Sequence, residues 1–105
     1  SLVTAKYTVD SSNIEKRYMV TDNRADTTTL KVSVQNSASD ATTTVYTLAT
    51  DITQVTATSN VYFLQEADGG KYEVYFGDGV NGQSLSDGNI VIFEYIVTNK
   101  TLIHG

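Results

Sequence analysis

Leu30-Lys31-Val32-Ser33-Val34-Gln35 alternates apolar and polar residues without a break. That period of two predicts a half-buried strand with Leu30, Val32 and Val34 facing inward. The polar stretch Asn36-Ser37-Ala38-Ser39-Asp40 predicts a turn, and Thr43-Thr44-Val45-Tyr46-Thr47-Leu48 predicts the returning strand of a hairpin or meander. Residues 51–60 are weakly patterned and read as a connection. Val61-Tyr62-Phe63-Leu64 is a short continuous apolar run, the pattern of a strand covered on both faces. Asp68-Gly69-Gly70 marks a turn, after which Lys71-Tyr72-Glu73-Val74-Tyr75-Phe76 returns with Tyr72, Val74 and Phe76 on one face. Residues 88–98 hold Ile90, Val91, Ile92, Phe93, Tyr95, Ile96 and Val97, an apolar run interrupted only by Glu94, and predict the central strand. The first quarter is less regular. Ala5-Lys6-Tyr7-Thr8-Val9 alternates weakly, Asp10-Ser11-Ser12-Asn13 ends it, and Arg17-Tyr18-Met19-Val20-Thr21 leans toward a strand. Ser12 and Glu15 nonetheless have capping-box spacing.

Between the last two predicted strands lies Gly77-Asp78-Gly79-Val80-Asn81-Gly82, then Leu85-Ser86-Asp87-Gly88-Asn89. A glycine-punctuated turn directly joining two apolar segments predicts a β-hairpin, with glycines reaching positive φ and Asp and Asn bonding backbone groups. Short strands separated by polar turns predict an all-β fold, an antiparallel β-sandwich or partly rolled barrel of about six to eight short strands. No internal repeat points to a solenoid.

Composition agrees with this class. Sixteen residues are Thr and seven are Tyr, both suited to a pleated, half-covered surface, and proline is absent, so turns depend on Gly, Asn, Asp and Ser. With 105 residues the chain is a single β domain, 1–105, and one without a single cysteine, which excludes disulfides and thiolate chemistry. The start at Ser1 rather than Met leads us to expect a piece excised from a longer protein. The net charge of -5 is unevenly placed: five basic and four acidic residues up to Lys31, two basic and eight acidic from Val32 onward. Duplex binding needs clustered Lys and Arg, and Lys16-Arg17 is the sole adjacent basic pair, so no nucleic-acid partner is expected. No apolar run approaches the ~20 residues of a membrane-spanning helix, so no membrane insertion is expected.

Candidate chemistry is thin. The single histidine, His104, stands beside the chain end, poorly placed for a triad that needs a rigidly held imidazole. Asp78, Asn81, Asp87 and Asn89 are oxygen donors, but their spacing is not that of a helix-loop-helix calcium site, and turn capping is the simpler role. Gly77, Gly79 and Gly82 have the G-x-G-x-x-G spacing of a dinucleotide cradle. A strand follows them rather than a helix, which removes the helix N-terminus that would face a phosphate. Glu66, Asp68 and Glu73 could supply a carboxylate pair for glycoside hydrolysis. Tyr62, Tyr72, Tyr75 and Tyr95 could form an aromatic platform, although core packing suits them equally. Asn99-Lys100-Thr101 fits a glycosylation pattern.

The stretch from Tyr72 to Val91 resembles the baseplate wedge proteins of contractile-tailed bacteriophages of the T-even type. More loosely, it is similar to baseplate J-like proteins. The matching residues are Phe76, Gly77, Asp78, Gly79, Gly82, Gly88, Asn89 and Tyr95, which the resemblance casts as a structural turn motif. It implies a structural virion protein with no catalytic residues and no cofactor. The chain would be an internal β domain of a longer protein that docks other baseplate and tail proteins and forms a homo-oligomer when full-length. It implies residence in the tail baseplate of the virion after assembly in the host cytoplasm. There are two rival readings: a carbohydrate-binding or adhesin-like domain, from the tyrosines and the sandwich-like pattern, and a small glycoside hydrolase, from the carboxylates.

Overall fold

Period-two alternation becomes strand wherever one face can be buried. The computed structural model describes residues 2–12, 17–22 and 25–97. Among these are seven strands: β1 (Leu2–Thr8), β2 (Arg17–Val20), β3 (Ala25–Ser37), β4 (Asp40–Leu48), β5 (Val61–Glu66), β6 (Tyr72–Phe76) and β7 (Ile90–Val97). They form one sheet in the order β1-β7-β3-β4-β5-β6-β2, rolled into a nearly closed barrel. Glu15, His104 and Asn99-Lys100-Thr101 lie outside the described residues.

All pairings are antiparallel except β4 with β5, which run parallel over Thr47 and Leu48 against Val61 and Tyr62. Parallel neighbours need a crossover of about a dozen residues. Residues 49–60 supply it, carrying one 3-10 turn at Ile52–Gln54 capped by Asp51, whose carboxylate accepts from the Thr53 amide at 3.0 Å.

The barrel interior is filled by the inward positions of the strands. Phe93, Val9, Val20, Val32, Val74 and Val91 are completely enclosed. β7 alternates cleanly, with Val91, Phe93 and Tyr95 inward. Glu94, the charge in that apolar run, points to the outer face, 4.0 Å from Lys31 on the neighbouring β3. The open seam between β1 and β2 is bridged by Tyr7. Its hydroxyl donates to the Met19 carbonyl at 2.8 Å, and its ring lies 5.6 Å from those of both Tyr18 and Phe93. Tyr18 is buried, yet its hydroxyl has no hydrogen-bond partner. An unsatisfied buried hydroxyl is a cost that its removal relieves. Tyr18→Phe should therefore keep the melting temperature level or raise stability by up to ~1 kcal/mol; a clear loss in denaturant titration would show that the hydroxyl is bonded.

Three expectations need correction. The segment between Phe76 and Ile90 is not a hairpin: β6 pairs with β5 and β2, while β7 pairs with β1 and β3. Residues 77–89 instead cross from one side of the barrel to the other. Adjacency in sequence suggested pairing, but the edges of β7 are taken by strands from the first third of the chain. β7 is interior, though the middle place in the strand order belongs to β4. β5 is not covered on both faces either. Tyr62 is buried, while Phe63 lies on the outer face, stacked on Tyr75 with ring centroids 5.2 Å apart.

Candidate functional site

The glycine-rich crossing is held at several points, and its geometry follows from its residue types. After Phe76 closes β6, Asp78 folds back on the chain, its Oδ1 accepting from the amides of Val80 at 2.9 Å and Asn81 at 2.8 Å. The Gly79 amide donates to the Gly82 carbonyl at 3.0 Å, closing the turn. Gly79 and Gly82 hold φ of 87° and 101°, a region where side chains are strained. Gly77 is glycine for another reason: a Cβ there would overlap the Cα, carbonyl carbon and oxygen of Gly82. The two backbones touch, and no rotamer change could relieve the overlap.

The crossing is then tied down along its length. The Gly82 amide donates to the Thr56 carbonyl at 2.9 Å and the Gln83 amide to Ser59 at 2.8 Å, joining the crossing to the β4–β5 connection. Leu85 is buried in the core. The Gly88 amide donates to the Val9 carbonyl and the Val9 amide to that of Asn89, both at 2.8 Å, fastening the end of β1. Asn89 accepts from the Ser86 amide at 2.8 Å and donates through Nδ2 to the Asn36 carbonyl at 2.9 Å, reaching the end of β3. The crossing is thus a clasp on three separate parts of the chain. Tyr95 does not belong to it: it lies in the far half of β7, buried in the core.

Thr56, Ser59, Val9 and Asn36 have no special pattern in the sequence. The bond between Asn89 and Asn36 spans 53 positions, and only chain folding brings them together.

The Asp78 carboxyl is held below the usual carboxylate range by the amides of Asn81 and Val80, which stabilise its ionised form. A depressed folded-state value contributes stability above the unfolded Asp value of about 3.9, and that contribution is lost as pH falls through the folded value. Asn at this position accepts the same bonds without titrating. Asp78→Asn should therefore weaken the acid-side loss of stability, and carboxyl NMR titration of the wild type should place Asp78 below an ordinary Asp. An unchanged acid limb together with an ordinary titration would contradict this. Gly79→Val tests the backbone instead: Ser84 is the nearest obstacle to a Cβ, at 3.7 Å, so the cost is conformational and should be about 1 kcal/mol or more. An unchanged melting temperature would show the turn to be relaxed.

The remaining candidates are dispersed. Glu66 ends β5 and Asp68 sits in the turn at Asp68–Gly70, both exposed. Glu73 lies on the outer face of β6, 3.5 Å from Arg17. Among the described residues, no group of three or more His, Cys, Asp or Glu is placed to hold a metal ion. Tyr62 and Tyr95 are buried, and Tyr72 packs against the core. Tyr75 is flanked by Phe63 of β5 and, from β2 on the other side, by the Arg17 guanidinium, 4.9 Å from its ring centre. With neighbours on both sides, its ring offers no free face for stacking a sugar. An open hollow of ≈ 210 Å³ lies where β4 meets the crossover, lined by Leu48, Asp51, Val55 and Val61 among others.

Comparison with known families gives the arrangement its context. Residues 3–102 match the family model of the bacteriophage baseplate wedge protein gp6, third domain. The chain belongs to this family. No curated protein matches it. The gp6 family is a structural component of the phage baseplate, and apart from Leu2 at the start of β1 the match takes in the seven strands together with the clasp.

Proposed function

We propose that this gp6-type domain is an assembly module of a phage tail baseplate wedge, acting through protein–protein contacts and catalysing no reaction. It is one internal β domain of a longer chain, carried in the virion baseplate after assembly in the host cytoplasm. Its partners are other baseplate and tail proteins and further copies of the same protein, with no nucleic acid and no membrane insertion. The observation that carries this reading is the family match across residues 3–102. The geometry supports it. The polar groups of the glycine-rich segment are engaged in holding the fold, as with Asp78 on its own turn and Asn89 on Asn36. The candidate carboxylates do not converge, and Tyr75 is flanked by Arg17 and Phe63, which weighs against hydrolase and sugar-binding roles. A barrel fastened by its glycine-rich crossing suits a part that acts by shape and contact. Co-sedimentation of the chain with purified tail proteins tests this. Stoichiometric complexes are expected, and failure to associate with any of them would count decisively against the assembly role.

A further inference from the structure

Asn81-Gly82 is the sole Asn-Gly pair in the chain. Asparagine before glycine is chemically labile, because the glycine amide nitrogen, unhindered by a side chain, can attack the asparagine carboxamide. The fold leaves no choice at position 82. Its φ is 101°, and a Cβ there would lie 3.1 Å from the Gly77 Cα and 3.3 Å from Val61 Cγ2. The clasp thus requires glycine at the place where glycine endangers the residue before it. Asn81 is exposed, whereas Gly82 is buried. The Gly82 amide donates to the Thr56 carbonyl at 2.9 Å, the Gly82 carbonyl accepts from the Gly79 amide at 3.0 Å, and the Asn81 amide donates to Asp78 Oδ1 at 2.8 Å. The attacking nitrogen therefore has its proton engaged, and the peptide units around it are held in place.

We propose that Asn81-Gly82 is a self-modification site that the closed clasp protects and that, once converted to isoaspartate, keeps the clasp from re-forming. In the reaction, hydroxide takes the Gly82 amide proton and the nitrogen attacks the carbonyl carbon of the Asn81 side chain. A C–N bond forms, the bond to the side-chain nitrogen breaks, and that nitrogen leaves as ammonia with a proton from water. Water then opens the resulting succinimide at either carbonyl, giving aspartate or isoaspartate at position 81. The net change is one water in and one ammonia out, with no oxidant or cofactor. In the closed clasp the first step is blocked. The proton is held by Thr56 in a buried setting, and turning Gly82 toward the Asn81 carboxamide would pull it off Thr56 and drive it against Gly77. The native rate is then set by the population in which residues 77–83 have lifted from residues 56–59. Isoaspartate routes the chain through its β-carboxyl, so the backbone gains a methylene immediately before Gly82, where contact with Gly77 leaves no room for an added atom. The bonds from Gly82 to Thr56 and from Gln83 to Ser59 then cannot both return, and conversion is a lasting record of opening. None of this depends on the assembly role.

The experiment is a time course of the chain at mildly alkaline pH, read by peptide mass spectrometry, with circular dichroism confirming that each sample is folded. The native chain should convert at least about tenfold more slowly than the same chain unfolded in urea, since closed molecules do not react. Gly77→Ala, which pushes Gly82 away from Thr56, should speed native conversion at least about tenfold, whereas Gly70→Ala, in the β5–β6 turn, should leave it near the wild-type rate. Should Gly77→Ala fail to fold, Ser59→Ala takes its place. It removes the hydroxyl that accepts from the Thr56 amide at 2.9 Å and should also speed conversion. The isoaspartate form, separated by ion exchange, should lose amide-exchange protection at Gly82 and Gln83. Asn81→Asp, with the same charge and an ordinary backbone, should keep it. Equal rates in native and unfolded chains overturn the protection, as does a loosened variant no faster than wild type or Gly70→Ala as fast as Gly77→Ala. An isoaspartate form that protects Gly82 and Gln83 as well as wild type overturns the block to closure.

Discussion

Gly77→Ala should destabilise the domain by about 3 kcal/mol, at the upper end for added volume, because the new methyl group meets backbone rather than a movable side chain. Its Cβ would overlap the Cα and carbonyl of Gly82, whose position is fixed from two directions: its carbonyl accepts from the Gly79 amide and its amide donates to Thr56. Relief requires moving the turn away from residues 56–59 and breaking those bonds. For a domain of this size the loss corresponds to a fall in melting temperature of roughly 10–20 °C. Gly70→Ala is the control. Gly70 holds φ of 75°, but a Cβ there meets nothing within 4 Å, so its cost should be conformational only, about 1 kcal/mol. Thermal unfolding of the two variants side by side decides the matter. Equal, small losses would mean that the Gly77–Gly82 contact is loose and the clasp is not a rigid element.

The second large effect is expected at the barrel seam. Phe93 is fully enclosed, and truncation of a core phenylalanine costs about 3–5 kcal/mol. Here it should do more than open a cavity. Its ring stands edge-on to Tyr7 at 5.6 Å, and Tyr7 in turn touches Tyr18 and bonds the Met19 carbonyl. Phe93→Ala should therefore loosen β2 relative to the rest of the sheet, since β2 is held by β6 on one side and by Tyr7 on the other. Denaturant unfolding measures the global loss. Amide exchange measures the local one and should show β2 losing more protection than β5. A double-mutant cycle with Tyr7→Phe should reveal coupling, because both changes act on one bridge. Additive losses and uniform exchange would mean that the seam is closed by other contacts.

Both effects depend on residues whose importance differs greatly in legibility. The glycines at 77, 79 and 82 stand out in the sequence, and their spacing carried the family resemblance that the match over residues 3–102 supports. Their local chemistry was also legible, since Asp followed by Gly favours a turn with side-chain to backbone bonds. The role of the turn was not. A glycine turn between two apolar runs has the same local appearance whether the runs pair or diverge. Tyr7 was equally hidden: nothing in Lys6-Tyr7-Thr8 announces a hydroxyl that reaches Met19 across the seam.

What the sequence determined by itself was the set of strands and, in β3 and β6, the inward face. Alternation is a property of consecutive residues, and burying one face of Leu30-Lys31-Val32-Ser33-Val34 leaves little choice of conformation. Turn positions followed for the same reason, because Gly, Asn and Asp act on their own backbone. Only the tertiary structure decided which strands are neighbours: Val91 faces Tyr7 on one side and Val34 on the other, and β6 turns away from β7. Pairing is settled by competition for shared edges and a shared core among segments far apart in the chain. Backbone amides and carbonyls are alike at every position, so no short stretch of residues records which partner wins.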